Sequence, residues 1–388
     1  MAIPLKYNFR NLRARSITTL VTALSISLTV AVFVVLMALS NGLKMAFVST
    51  GHPENLIVLR QNAGAETNST ISPEAFQVLK YLPGVARNEQ GEPLASAESI
   101  VLINLPRVHT TERSNVLIRG LSLTGLPLHP QVRLVEGRWF EPGLREIVVS
   151  RQISRRFQNT GLGDRLRFGK GEWKVVGVFE AAGTAYDSEI WCDGNQLRSD
   201  YNRPIYSSVY IRAEAPSLVE TLSHRIREDQ RLQLDAKGEV QYYSEQTQSG
   251  QIIQIYGMFI AIVMAVGSSF AAMNAMYGAV VNRSREIGIL RVLGFSKGSI
   301  LFSFALESLI LALLGGAVGC LLALPVNGIS TGTTNWQTFS EVAFMFRVTP
   351  KLLLGGMIFS GLIGLLGGLF PALRAARQHI LDALRAVG

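Results

Sequence analysis

Four stretches of this chain stay apolar for long enough to leave water. Ile17–Ser40 and Ile252–Val281 carry no charged residue, Ile300–Val326 holds only Glu307, and Leu352–Leu373 is interrupted late by Pro371. As a helix the first would be about 36 Å long at about 1.5 Å per residue, enough to cross a bilayer. Its core exceeds the roughly 7–15 apolar residues of a secretory signal, so it reads as a retained span. Ahead of it, the leader 1–16 sets Leu5, Phe9 and Leu12 on one helical face and Lys6, Arg10 and Arg13 elsewhere, as in an amphipathic helix on the cytoplasmic membrane surface. The pattern predicts transmembrane helices at 17–40, 252–281, 300–326 and 352–373.

Between the first two spans the period changes. Extended apolar runs occur at 55–60, 99–105, 115–121, 146–150, 164–168, 173–179 and 207–213. Helical spacing appears at 72–82, 151–157 and 216–229, where Leu218, Leu222 and Ile226 recur, and Ser72-Pro73 reads as an N-cap followed by the first helical residue. A turn is expected at Gly169–Gly171 and a mobile excursion at Gly64–Thr70. The fold class is therefore an α-helical membrane protein with four transmembrane helices, plus a large α+β extracytoplasmic domain of two lobes at 41–250. A short extracytoplasmic loop, 327–351, joins the last two spans, and 374–388 is a tail.

Composition supports this reading, and charge orients it. Only 17% of the residues are charged and the mean hydropathy is +0.26, which fits a large membrane content. The leader, the 282–299 connector and the tail together hold the whole formal net charge of +9, while 41–250 has 24 basic and 24 acidic residues. An even number of crossings puts those three segments on one side, the cytoplasm by the positive-inside rule. The pI of about 9.7 is thus no argument for nucleic-acid binding. Of two cysteines, Cys320 lies in a span and Cys192 is alone outside, so no bridge staples the domain.

Catalytic patterns are scarce. No Walker A motif occurs, and "GLGDRLRFGKGEWK" at 161–174 lacks the Lys-Ser/Thr pair of a phosphate loop. His52, His109, His129, His224 and His379 show no metal-ligand spacing and read as packed or surface residues, so neither metal nor cofactor is expected in this chain. Glu307 is an intramembrane acid about two turns into the third span; it reads as structural, with interfacial water or Arg291 as its partner. Gly315/Gly319 and Gly364/Gly368 have the small-xxx-small spacing that lets helices approach closely in lipid. The sharpest local feature is "VVNRSREIGILRVLGFSKGSI", Val280–Ile300, a charged amphipathic connector where a few polar residues would have sufficed. It has the character of a contact surface, or of a basic helix resting on lipid phosphates.

Residues 274–319, "NAMYGAVVNRSREIGILRVLGFSKGSILFSFALESLILALLGGAVG", and 348–388 resemble the C-terminal half of an FtsX-like, MacB-type ABC transporter permease. The matching features are Arg285-Glu286-Ile287-Gly288, Leu293-Gly294, Glu307 ahead of a glycine-rich helix, and Pro371-Ala372 with Arg374-Ala375-Ala376 leading to Ala383-Leu384-Arg385. "EGRWFEPGLREIVVSRQISRRF" and the strands after it resemble the family's extracytoplasmic core domain more loosely. The resemblance implies a non-catalytic permease subunit of the bacterial inner membrane with both termini cytoplasmic. It implies a separate ABC ATPase that carries ATP and Mg, a permease homodimer, a periplasmic adaptor, and contact with membrane lipids but not nucleic acid. The implied function is transmission of ATP-driven motion to the extracytoplasmic domain for export or lipoprotein or lipid release; the alternative is an FtsX-like regulatory subunit controlling a cell-wall hydrolase or a signalling partner. On this resemblance the connector is the coupling segment. Arg283, Arg285, Glu286 and Arg291 would supply polar contacts, Ile287, Leu290 and Leu293 would fill a groove, and Gly288 and Gly294 would allow close approach or a helix break.

Overall fold

The computed structural model describes residues 16–377; the amphipathic leader pattern of Leu5 to Arg13 and the Ala383–Arg385 end of the tail lie outside the described residues. In chain order, α1 (Ser16–Val48) continues past Ser40, where the sequence suggests the span ends. Gly42 lets this helix pass close to the backbone at Met345, because a Cβ there would collide with the Met345 carbonyl. Next come β1 (Asn55–Arg60), a 3-10 turn at Glu66–Asn68 and α2 (Pro73–Lys80), whose cap is the expected one: Ser72 Oγ accepts from the Ala75 N–H at 3.2 Å. β2 (Ala95–Pro106) and β3 (Arg113–Leu121) form a long antiparallel pair, followed by a 3-10 segment at Leu123–Leu128, β4 (Arg133–Gly137) and β5 (Glu146–Ser150). Ser150 caps α3 (Arg151–Arg156). β6 (Arg165–Phe168) and β7 (Gly171–Glu180) meet at the expected turn, with Gly169 at φ +59°.

The chain continues through β8 (Glu189–Asp193), α4 (Gly194–Asp200), β9 (Ser208–Arg212), α5 (Leu218–Glu228), β10 (Leu234–Gly238) and α6 (Glu239–Glu245). The long helix α7 (Gln248–Asn282), the short α8 (Ser284–Val292) and α9 (Lys297–Ala323) follow, then β11 (Ser330–Thr334), β12 (Glu341–Met345) and α10 (Pro350–Arg377). Among the described residues four helices, α1, α7, α9 and α10, are long and apolar enough to cross a membrane. The chain divides into two compact units: Met1–Asn41 with Gln251–Ile329 and Phe346–Gly388, and Gly42–Gly250 with Ser330–Met345.

In the α/β unit the strands follow the order β10-β1-β9-β2-β3-β8-β5-β7-β4, with β6 added on β7. β2 is the spine: Ala95–Glu98 pairs with β9, and Ser99–Pro106 pairs with β3. Two apolar cores lie along this path, one around Val116, Ile147, Trp173 and Ile190, the other around Leu56, Leu79, Val209 and Leu222. The two lobes thus share one sheet. Two expectations are corrected here. The stretch Gly64–Thr70 is not an open excursion: it holds the 3-10 turn at Glu66–Asn68, and Glu66 is buried because Arg119, far along the chain, holds its carboxylate. The 327–351 segment is more than a loop: β11 and β12 form a hairpin anchored by Glu341, which pairs with Arg156 and, at 2.6 Å, with Arg107, and by Ala343 N–H donating to Ser188 Oγ at 2.6 Å.

In the helical unit the small-residue pairs meet partners of similar size. A Cβ on Gly315 would lie 2.8 Å from the Ala23 carbonyl oxygen, and one on Gly319 would strike the Ser27 carbonyl, so α9 rests on an Ala23/Ser27 pair of α1 at the same four-residue spacing. Gly364 and Gly368 of α10 fit against Ser308 and Ala312 of α9, and Ser308 Oγ donates to the Gly364 carbonyl at 2.7 Å. Thr29 and Ser268 share a 2.6 Å hydroxyl contact that joins α1 to α7. Lipid gives helices no hydrophobic reason to associate, so close backbone approach and such hydrogen bonds carry the packing.

Candidate functional site

The connector is built as a clamp. Arg283 leaves the helical conformation at φ −114°, ψ 13°, which ends α7 and starts α8 in a new direction. Ser284 Oγ ties the new helix back to the old one, donating to the Val280 and Val281 carbonyls at 3.2 and 2.9 Å. The Arg283 guanidinium turns inward: Nη1 meets Glu307 Oε2 at 3.0 Å, Nε reaches Glu286 Oε2 at 3.4 Å, and the group lies 5.1 Å from the centre of the Phe304 ring. A charge in this setting is tolerated when paired and hydrogen-bonded. Ile287 seals the clamp, packing with Met276 and Val280 of α7, Ile300 and Phe304 of α9, and Ala372 and Ala375 of α10.

The far end of α8 is equally defined. Gly294 has φ +92°; its N–H donates to the Arg291 carbonyl at 3.2 Å, and the Phe295 N–H donates to the Leu290 carbonyl at 3.1 Å. This pairing around a left-handed glycine is the Schellman motif, a firm helix stop. Arg291 Nη1 caps the same turn on the Phe295 carbonyl at 3.1 Å, and Ser296 Oγ accepts from the Ser299 N–H at 3.2 Å to open α9. Hydrogen-bonded turns therefore bound α8 at both ends, between Arg283 and Ser299.

The outer face of α8 presents Arg285 and Glu286 at its first turn and an apolar ridge of Ile289, Val292 and Leu293, which are 46%, 63% and 65% exposed. Of the nine connector residues singled out from sequence, Arg285, Glu286, Leu293 and Gly294 lie at the surface, Leu290 and Arg291 are half-buried, and Arg283, Ile287 and Gly288 are buried in the chain itself. Ile287 is therefore covered on its own side and is not open to a partner's groove; Ile289 and Val292 take that place. Glu307 pairs with Arg283, not Arg291, because the Arg291 guanidinium is turned to the helix end. Sequence reasoning missed Ile289, Val292 and Phe304. The signal for the first two was the Ile289/Val292/Leu293 spacing, which competes with Ile287/Leu290 for the role of outer face. No group of His, Cys, Asp and Glu suited to a metal occurs among the described residues.

Comparison with known proteins identifies the family. Residues 19–229 match the MacB-like periplasmic core domain family and residues 258–380 match the FtsX-like permease C-terminal family. The chain is 25% identical to ABC transporter permease YknZ of Bacillus subtilis (strain 168), covering 96% of each chain. It is 26% identical to the macrolide export ATP-binding/permease protein MacB of Pasteurella multocida (strain Pm70), where 96% of this chain spans 58% of that protein. A crystal structure of the extracellular domain of the noncanonic ABC-type transporter YknZ from Gram-positive bacteria aligns over 47% of this chain and 99% of that domain, at 15% identity and a TM-score of 0.35. With one family matched over more than half its length and a second over most of the remainder, the chain belongs to the MacB-type, FtsX-like family of ABC transporter permeases.

Proposed function

We propose that this permease transmits ATP-driven closure of a separate ABC ATPase to its α/β unit on the far side of the bacterial inner membrane, for export or for release of a lipoprotein or lipid. In this reading ATP and Mg belong to the partner ATPase, two permease copies work together with a periplasmic adaptor, and both termini and the 282–299 connector face the cytoplasm, where the charge distribution favours them. One observation carries the proposal. α8 offers an exposed apolar ridge on one side and on the other is fastened to α9 through the buried Arg283–Glu307 pair, so a load on the ridge reaches a membrane span without being absorbed by a loop. A helix with spaced apolar anchors is suited to a partner's groove. The two cores of the α/β unit favour transport with an adaptor over control of a hydrolase, which a small domain with an exposed hook would serve.

The test is co-purification of the ATPase with the tagged full-length chain at matched membrane levels. Ile289→Asp and Leu293→Asp should each reduce the recovered ATPase about tenfold or more, since anchors at the centre of a contact dominate its affinity. Arg133→Ala, on the α/β unit, should leave recovery unchanged. Full recovery with both ridge variants would overturn the coupling assignment and leave α8 as a lipid-surface helix.

A further inference from the structure

The α/β unit contains a second buried arginine that the coupling reading does not use. Arg119 on β3 is 1% exposed, and each of its five N–H groups has a carboxylate acceptor. Nε and Nη2 hold Glu189 at 2.7 and 2.8 Å, Nη1 and Nη2 hold Glu66 at 2.9 and 3.1 Å, and Nη1 also reaches Glu98 at 2.8 Å. The guanidinium lies against the rings of Tyr186 and Tyr210, 5.4 and 5.6 Å from their centres.

The three carboxylates come from different places. Glu66 belongs to the 3-10 turn after β1 and is further held by Ser208 Oγ of β9 at 2.6 Å. Glu98 lies in the half of β2 that pairs with β9 and accepts from His129 Nε2 at 2.8 Å. Glu189 is on β8, in the other lobe, and accepts from Trp191 Nε1 at 2.8 Å. One cation thus fastens the β1/β9 lobe to the β3/β8 lobe. α6 is seated on the same cluster: the Tyr242 hydroxyl oxygen accepts from the Glu66 N–H at 3.3 Å, Tyr243 and Tyr210 share a 3.2 Å hydroxyl contact, and Glu239 accepts from the Tyr186 hydroxyl at 2.8 Å. Two residues after α6 ends, the chain becomes the long helix α7.

Buried ion pairs seldom add stability over apolar packing of the same volume, and in some proteins they serve to specify one geometry. Here that geometry spans both lobes and the element that leads into α7. We propose that the Arg119 network is the joint that fixes the two lobes in one relative arrangement and gives α6 a grip on both, so that displacement of α7 moves them as a body. Arg119 is in this sense a positioning residue. The inference rests on the transmission reading for its purpose, though not for its test, which needs no ATPase.

The test measures distance distributions by pulsed electron resonance in the purified full-length chain, with spin labels on cysteines introduced at exposed positions. Thr221→Cys with Glu172→Cys reports lobe to lobe, and Ser244→Cys with Glu172→Cys reports α6 to lobe. Arg119→Lys keeps the charge but has three donors in place of five and cannot make the two-point contacts to Glu189 and Glu66, and Glu66→Gln keeps the shape while removing one charge. Both should at least double the width of each distribution or add a second distance. Val175→Ala, a cavity in one core, should lower the melting temperature yet leave both distributions narrow. Should Arg119→Lys fail to fold, Glu66→Gln decides alone. Unchanged distributions in the network variants, or equal broadening in Val175→Ala, would overturn the joint. Broadening in the network variants together with normal ATPase recovery from the α8 ridge variants would uphold the joint while sinking the coupling assignment.

Discussion

Two buried arginines organise this chain, and they are built differently. Arg119 is enclosed: all five donors are used, and the three carboxylates it holds have side chains no more than 7% exposed. Arg283 is shared between an interior acid and a surface one, Glu307 at 7% and Glu286 at 55% side-chain exposure. An ion pair closed on all sides can only hold or break, because either partner left alone is a desolvated charge. A pair with one exposed member can exchange that member for a partner's group at small cost, since the exposed contact is worth about 0–1 kcal/mol. The difference suits the two proposed roles: Arg119 to keep two lobes in register, Arg283 to pass on a contact made at the surface.

The comparison can be broken by removing each arginine. Arg119→Met takes the guanidinium from three buried carboxylates, of which only Glu98 keeps an imidazole partner, His129, and should destabilise the α/β unit by about 3–5 kcal/mol or prevent its folding, read from the thermal transition of tryptophan fluorescence in detergent. Arg283→Met removes the guanidinium from one interior acid, Glu307, where Arg119→Met removes it from three, and should cost less, about 3 kcal/mol. Adding Glu307→Leu should restore most of that stability, as a well-packed apolar pair replaces the ions, while ATPase recovery or transport stays reduced because α8 has lost its ionic tie to α9. Full recovery of both stability and coupling in the double variant would contradict the role given to Arg283.

The smallest effect concerns pH. Burial pushes the Glu239 carboxyl up, and His129, the His52 N–H and the Tyr186 and Asn55 donors offset this only in part. The folded state then binds the proton more tightly than the unfolded state does. Its contribution to stability is complete below the ordinary glutamate value of about 4.3 and is lost as pH rises through the raised value. Glu239→Gln should flatten that part of the pH profile of the melting temperature, and an unchanged slope would contradict it.

What the sequence revealed depended on how local the cause was. The spans are legible because a long charge-free run has few alternatives to a membrane, and α2 is legible because Ser72-Pro73 sets its start within one turn. β8 is absent from the expected strands: "EIWCD" has an acid at each end, yet Glu189 is buried because Arg119, seventy positions earlier, satisfies it. Glu66 hides in a polar stretch for the same reason, and Arg119 itself looks like an outward residue of an apolar strand. On α8 the apolar pattern identified a helix but not its buried face, since Ile287 and Ile289 are equivalent until α9 and α10 choose between them. Partners distant in the chain decided each of these cases.

The central claim is that α8 seats on an ABC ATPase through its outer ridge. It is tested most directly by site-specific photo-crosslinking in intact membranes, with a photoreactive amino acid at Leu293 and, as the internal control, at Ile287, which α7, α9 and α10 cover. The account predicts a crosslink from Leu293 to a protein carrying a Walker A motif and none from Ile287. Crosslinks from Leu293 to lipid alone, or equal capture from both positions, would contradict it.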